Sequence, residues 1–391
     1  MVRSKNGSPS HSESNTIASP EENHYSVAAA VLPENIRKNR YIDVLPYDRT
    51  RVRVRLVGTG DDAYLNANWV REKYGRKLWI ASQAALQNTS YTFLNMLLDD
   101  GGAIAPSPSP STPGSVTSTS TSATTHFPHP RTVVQLTQNI ESGRRKAHPY
   151  FPDVVGQTMI ITPDPSEHTR NSSASATPRA LKVTLLAQEH IREACCVKSV
   201  VEARPIANDI DEEDEYGDDD SASPAKRTSR PTIFTHLLFH AWPDHSVPSP
   251  SDRAALFEFV RLVDKVNRAP ARRNDSNDSS DDSDDPPIIV GCSAGIGRTG
   301  SFIAMNSLLR HAGFLLPPAD RHGASKSTST ASKPTSTDDS GPLPPLPQHL
   351  ANDLIAQEID SLREQRPGMV QRPEQAVLVY EMMVGAYVER R

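Results

Sequence analysis

The sequence reads as one α/β domain interrupted by long low-complexity segments, and three observations lead there. Runs of strand character, among them Arg51–Val57, Thr132–Thr137 and Thr232–His240, are interleaved with runs of helical spacing such as Asp252–Val266. One apolar run, Ile288-Ile289-Val290, passes through a glycine-rich loop straight into a helical stretch from Thr299 to about Arg310. Stretches rich in Ser, Thr, Pro or Asp break the chain repeatedly, and 33 prolines with few aromatics leave too little core for all 391 residues. The ordered part is expected to span about 250–300 residues.

Taken in order, residues up to about Asn23 are Ser/Glu/Asn-rich without periodicity and are expected to be disordered. Tyr25–Arg37, with Ala28-Ala29-Ala30-Val31-Leu32, reads as a short helix, and Lys38–Asp48 as a polar loop. Arg51–Val57 alternates basic and apolar residues, the period of a half-buried strand; Tyr64–Val70 and Lys77–Ala81 are two further strands, and Asn88–Leu98 a helix. After a Ser/Thr/Pro-rich stretch, Thr132–Thr137 is a strand and Gln138–Lys146 a loop. Met159–Thr162, Ala180–Leu186, Glu193–Val201 and Thr232–His240 are strands, followed by the helix Asp252–Val266. Two helices, Ala351–Arg363 and Pro373–Val388, close the chain. Ser279, Ser280 and Ser283 lie among acidic residues and are either kinase sites or plain solvated chain.

Charge and cysteine usage exclude several classes. The net charge is −5, with the acid gathered in two runs, so no nucleic acid is expected as a partner. Three cysteines, two of them adjacent (Cys195, Cys196), make no disulfide framework and suit a reducing compartment. No apolar run reaches bilayer-spanning length, and the polar N-terminus lacks the apolar region of a secretory signal. A cytoplasmic protein is expected, with the nucleus left open and no membrane partner.

The chemistry concentrates in Gly291-Cys292-Ser293-Ala294-Gly295-Ile296-Gly297-Arg298-Thr299-Gly300. Small residues keep side chains out of the loop, so the backbone N–H groups of Ser293, Ala294, Gly295, Ile296 and Gly297 can turn inward as an anion nest. The helix start adds partial positive charge, and Arg298 adds a planar fork suited to two phosphoryl oxygens. The same groups stabilise a thiolate, so Cys292 is a nucleophile facing a bound tetrahedral anion. The blander readings are an inert buried cysteine beside an ordinary glycine turn. A nucleotide-binding P-loop fails, because no Gly-Lys-Ser/Thr closes the loop.

This stretch resembles the signature of the classical protein tyrosine phosphatases, His-Cys-Ser-x-Gly-x-Gly-Arg-Thr-Gly. Five more segments resemble that family's motifs in the family's order. Lys38–Asp43 is similar to its phosphotyrosine-recognition loop, Tyr64-Leu65-Asn66-Ala67 to its Tyr-Ile-Asn-Ala segment, and Glu141–Lys146 to its Glu loop. Ala241–Pro248 is similar to its mobile Trp-Pro-Asp loop, and Gln365–Gln375 to its glutamine loop. The resemblance implies a twisted mixed sheet flanked by helices, a catalytic domain over 25–391 behind a tail of 1–24, and insertions near 101–130, 163–178, 207–230, 272–287 and 317–347. It implies hydrolysis of phosphotyrosine in proteins through a cysteinyl-phosphate, with no metal or cofactor.

Residue by residue, the resemblance makes Cys292 the nucleophile, Arg298 the phosphate clamp and Asp244 the general acid, then base. Trp242 and Pro243 frame the acid's loop. Tyr41 would stack on the phosphotyrosine ring, Asp43 would hold substrate backbone, Gln371 would position the hydrolytic water with Gln375 in support, and Thr299 would donate to the departing thiolate. Glu141 would orient Arg298 and Lys146 would lie near the closed loop, with plain surface roles the competing reading for both.

The sequence departs from the family at two places. Gly291 stands where the family has His, which leads to the expectation of a less acidic nucleophile than in the family. Ser82-Gln83-Ala84-Ala85 stands where the family has Thr-Gln-Gly-Pro. The rival function is a catalytically weak pseudophosphatase that binds phosphotyrosine as an interaction module. The insertions, expected on the far side of the domain from the site, are expected to serve regulatory partners.

Overall fold

The computed structural model describes residues 24–59, 62–99, 102–104, 129–165, 178–206, 231–244, 246–269, 285–318 and 344–390. The N-terminal tail, the three candidate kinase serines and most of each insertion lie outside these residues. The strands are β1 (Arg51–Arg55), β2 (Asp62–Arg71), β3 (Leu78–Gln83), β4 (Gly102–Ile104), β5 (Thr132–Gln135), β8 (Thr158–Ile161), β9 (Leu181–Ile191), β10 (Cys196–Pro205), β11 (Thr232–Phe239) and β12 (Ile288–Cys292). Among the described residues they form a ten-stranded sheet in the order β4-β1-β2-β3-β12-β5-β11-β10-β9-β8. A separate two-stranded ribbon joins β6 (Ile140–Glu141) to β7 (Arg144–Arg145). The helices are α1 (Pro33–Ile36), α2 (Ser90–Asn95), α3 (Arg253–Arg268), α4 (Gly297–His311), α5 (Leu354–Gln365) and α6 (Pro373–Glu389).

The sheet is mixed in a way that places the site. Strands β3, β12, β5 and β11 run parallel at its centre, and antiparallel wings continue on both sides. The carboxyl ends of these four strands therefore share one edge, the usual place for an α/β site. Alternation along the central strands fills both faces. Val134, Val290 and Trp79 pack toward Phe259, Phe302 and Leu378 of the helices on one side. Val133, Ile289 and Ile80 pack toward Phe93 and Leu94 on the other. In β1 the alternation read from the sequence holds: Val52 and Val54 are buried, while Arg53 and Arg55 are exposed.

Several expectations need correction. Ala28–Leu32 forms turns, and the helix begins only at Pro33, whose fixed φ suits a first turn. Glu193–Cys195 belongs to the turn of the β9–β10 hairpin, with Cys195 at φ 42°, so that strand starts at Cys196. The 101–130 stretch includes β4, which pairs with β1 as an edge strand. Asp285, read as linker, is buried: it forms ion pairs with Lys77 and, at 3.1 Å, with Arg268, and accepts from Asn267 Nδ2 at 2.8 Å. The carbonyl of Asn267, near the end of α3, also accepts from Arg131 just before β5. The chain therefore leaves two of the insertions pinned at one point.

Buried His236 on β11 shares the core beneath β5. Its Nε2 lies 3.1 Å from Gln135 Oε1, and the rings of Tyr150 and Phe151 meet it edge-on. Burial lowers its pKa from 6.5 to about 4. Between those values the unfolded chain binds the proton and the folded one does not, so stability falls as pH drops through this window. The contribution lost at pH 5 is about 2 kcal/mol. Urea unfolding at pH 7 and pH 5 should show this loss in the wild type and its absence in His236→Gln; identical pH dependence in both would contradict it.

Candidate active site

The cradle lies between the last residue of β12 and the first turn of α4. Its carbonyls are all turned outward and engaged. Leu136 N–H donates to Gly291 O at 2.8 Å, and Ala84 N–H donates to Cys292 O and Ser293 O at 2.9 and 3.1 Å. Arg366 donates to Ala294 O at 3.1 Å and to Gly295 O at 2.8 Å. Ile296 O accepts from Gly300 and Val370. With the carbonyls facing out, the N–H groups of 293–298 find no acceptor among the described residues. That is the nest the sequence implied, at the N-terminus of a fifteen-residue helix.

Gly295 makes the turn. Its φ is +71°, and a Cβ there would lie 2.2 Å from Ser82 O. Gly291 is constrained differently: a Cβ would lie 2.7 Å from Ser82 O. The family's histidine therefore cannot be restored at 291 without moving β3.

Cys292 is buried at the base of a cavity of about 130 Å³. Tyr41, Asp43, Lys146, Asp244, Ser293, Ala294, Gly297, Arg298, Gln371 and Gln375 line it with Cys292. Gly295 and Ile296 belong to the loop but do not line the cavity, and the Ile296 side chain packs into the core. Arg372 and Val44 also line the cavity and were not anticipated.

Arg298 is held from three sides. Its Nη1 donates to Leu136 O at 2.8 Å and Glu141 Oε1 at 2.7 Å, and its Nη2 to Glu141 Oε2 and Asp244 Oδ1, both at 2.9 Å. Burial opposes its charge, but Glu141, Cys292 and Asp244 outweigh burial and its pKa is raised. Glu141 reaches Arg298 because Ser142 and Gly143, at φ 49° and 71°, close the β6–β7 ribbon tightly. The other oxygen of Asp244 lies 2.6 Å from Lys146 Nζ. Glu141 thus pairs with Arg298, and Lys146 lines the cavity against Asp244. Trp242 is buried and donates from Nε1 to Ser246 O at 3.0 Å, which ties both sides of Asp244 to the core.

The rim is built by longer-range contacts. Tyr41 OH lies 2.8 Å from Ser293 Oγ. Arg40 donates to the carbonyls of Ala84 and Ala85, and Gln83 binds both Arg40 N–H and Lys38 O. The Ser82–Ala85 turn therefore joins the recognition loop to the cradle. Gln371 follows Val370, whose φ of 54° is rare for a β-branched residue and costs about 1–3 kcal/mol. Arg363 holds the Met369 and Val370 carbonyls at 2.9 Å and keeps this conformation. Thr299 is fully buried, and its Oγ1 has no partner among the described residues.

Arg366 escaped the sequence reading. It is fully buried, and besides the two cradle carbonyls it donates to Asn68 Oδ1 at 2.6 Å and Asn66 Oδ1 at 2.9 Å. Burial lowers its pKa to about 10, so it remains a cation at neutral pH. The adjacent Tyr-Leu-Asn-Ala motif was the available signal, since Asn66 belongs to it.

A family model described as protein-tyrosine phosphatase matches residues 35–104 and 128–313. Human tyrosine-protein phosphatase non-receptor type 4 is 27% identical over 288 residues, 73% of this chain and 22% of the relative. Human receptor-type tyrosine-protein phosphatase eta is 26% identical over 281 residues, 72% of this chain and 15% of the relative. Tyrosine-protein phosphatase 2 of Schizosaccharomyces pombe is 26% identical over 347 residues, 89% and 33% respectively. The chain thus spans a third or less of the length of these relatives.

The close approach of β3 to Gly291 has a measurable cost. Gly291→Ala should lower unfolding free energy by about 1–3 kcal/mol in urea titration. A stability equal to wild type would show that β3 yields freely.

Proposed function

The chain belongs to the protein-tyrosine phosphatase family, and from that premise we propose that it hydrolyses phosphotyrosine in proteins through a cysteinyl-phosphate on Cys292. One observation carries the reading: a single cavity gathers Cys292, Arg298, Asp244 and Gln371 from three separate stretches of chain.

The phosphotyrosine ring enters beside Tyr41, and Asp43 takes the substrate backbone. The phosphoryl oxygens accept from the inward N–H groups of 293–298 and from Arg298, where charge develops in the transition state. The entering dianion competes with Asp244 for Nη2 of Arg298, which frees Asp244 to carry a proton. The Cys292 thiolate attacks phosphorus; the S–P bond forms as the P–O bond to tyrosine breaks, and protonated Asp244 gives its proton to the leaving oxygen. Gln371, supported by Gln375, then places a water against phosphorus. Asp244 takes the water's proton, the S–P bond breaks, and inorganic phosphate leaves. The buried Thr299 hydroxyl, without a partner among the described residues, supports its role as donor to the returning thiolate. Lys146 steadies Asp244 when the loop is closed.

The buried position of Cys292 beneath Tyr41 favours the long phosphotyrosine side chain over phosphoserine. No helix among the described residues is long and apolar enough to cross a membrane. We place the protein in cytoplasmic signalling, with regulatory partners for its insertions. Gly291 is the observation that favours the second reading, a phosphotyrosine-binding module of weak activity.

Turnover of a phosphotyrosine peptide, set against its phosphoserine counterpart, decides between the two. Hydrolysis should be confined to phosphotyrosine, vanish in Cys292→Ser, and fall by about 10²–10⁴ in kcat in Asp244→Asn. Tight binding without turnover would favour the module, and activity surviving Cys292→Ser would overturn the mechanism.

A further inference from the structure

Away from the cavity, buried ionisable groups run from α3 through α4 to α5, and their charges do not balance. Arg268 pairs with Asp264 at 3.0 Å and with Asp285 at 3.1 Å, and Lys77 also pairs with Asp285. Arg310 pairs with Asp264 at 2.9 Å and with Glu72 at 3.4 Å. Three cations thus answer three carboxylates. Glu358, in the second turn of α5, is a fourth. Its hydrogen bonds come from neutral donors, the N–H groups of Lys73 and Tyr74, both at 3.2 Å, and the Ser307 hydroxyl at 2.6 Å. No cation pairs with it among the described residues.

Glu358 is fully buried and Glu72 nearly so. The turn between β2 and β3 packs so closely that a Cβ on Gly75 would lie 2.0 Å from Glu72 Oε2 and 2.9 Å from Ser307 Cα. The other charged and titratable groups around Glu358 are engaged elsewhere. Lys73 is exposed and acts on Asp360 at the surface of α5. Tyr74 gives its hydroxyl to Gln357, and its ring meets His311 of α4 at 5.2 Å. Asp353 caps α5 by accepting from the N–H groups of Ile355 and Ala356. What faces Glu358 is Glu72, a like charge. Burial is the main cause that lifts the Glu358 carboxyl from 4.5 to about 7; Glu72 adds to it and the three donors oppose it.

We infer that Glu358 and Glu72 form a proton-operated latch between α5 and the β2–β3 turn, closed while Glu358 is neutral and loosened when both carboxylates are charged. Two buried like charges repel where water cannot screen them. The folded chain binds the Glu358 proton more tightly than the unfolded one. The stability that closure contributes is therefore complete below about pH 4.5 and is lost as pH rises through about 7. The helix carries this toward the site: Arg363 holds the Met369 and Val370 carbonyls, and Arg366, just past its end, holds the cradle. The latch is read by unfolding and amide exchange without substrate, so its failure and failure of the phosphatase reading are separate results.

The test is urea unfolding of the full chain at pH 6 and pH 8, in wild type and in Glu358→Gln, which keeps the shape and never charges. The His236 contribution runs the opposite way with pH, and taking the two proteins as a ratio at each pH cancels it. The folding equilibrium constant of Glu358→Gln relative to wild type should rise about tenfold from pH 6 to pH 8. A folded variant whose ratio stays constant would overturn the inference. Hydrogen exchange of the wild type decides the matter even if the variant does not fold. Corrected for the intrinsic pH dependence of exchange, the amides of α5 should lose more protection from pH 6 to pH 8 than those of β11. Protection in α5 that follows β11 across this range would also overturn it.

Discussion

Glu141 grips Arg298 through both carboxylate oxygens, at 2.7 and 2.9 Å, and the rest of the site is placed relative to that guanidinium. A two-point ion pair between a planar fork and a carboxylate fixes orientation as well as position. Here it is buried, where a misplaced partner would be expensive. Arg298 begins α4, Glu141 comes from the ribbon after β5, and Asp244 comes from the loop after β11. One cation therefore sets the distance between the cradle, the ribbon and the acid. Asp244 occupies Nη2 in the structure, so in the proposed mechanism the acid and the incoming phosphoryl oxygens compete for one donor, and that competition would link substrate binding to release of the acid.

The cradle itself depends on the opposite constraint, the disposal of carbonyls. A loop can present its N–H groups to an anion only if its carbonyls find donors elsewhere. From 291 to 296 those donors are supplied by Ala84, Leu136, Gly300, Arg366 and Val370. All but Gly300 lie far away in sequence. The strained φ of Val370 fits this arrangement, since its N–H reaches Ile296 O while Gln371 enters the cavity.

This division explains what could be read from the residues alone. The strand–loop–helix unit at Ile288–His311 was legible because its period, glycines and arginine are all local. So were β1, β11 and α3, where alternation or helical spacing meets a one-sided or two-sided core. Ala28–Leu32 was misread because alanine-rich composition favours helix while Ser26 and Asp48 bind the local backbone in turns. β4 is three residues long and acquires its strand character only from pairing with β1. Asp285 looked like one more acid in an acidic run; only the fold shows that Lys77 and Arg268 await it. Arg366 and Gln83 stayed hidden for the same reason, since an arginine or glutamine that holds backbone carbonyls carries no local pattern.

The most direct test of the central claim is covalent. A phosphotyrosine peptide is mixed with the protein, the reaction is stopped by rapid denaturation, and the Cys292 peptide is weighed. Retention of one phosphoryl group on Cys292, increased in Gln371→Ala because the water is no longer placed, is the expected result. Turnover of the peptide with no phosphoryl group on Cys292 in either protein would contradict it.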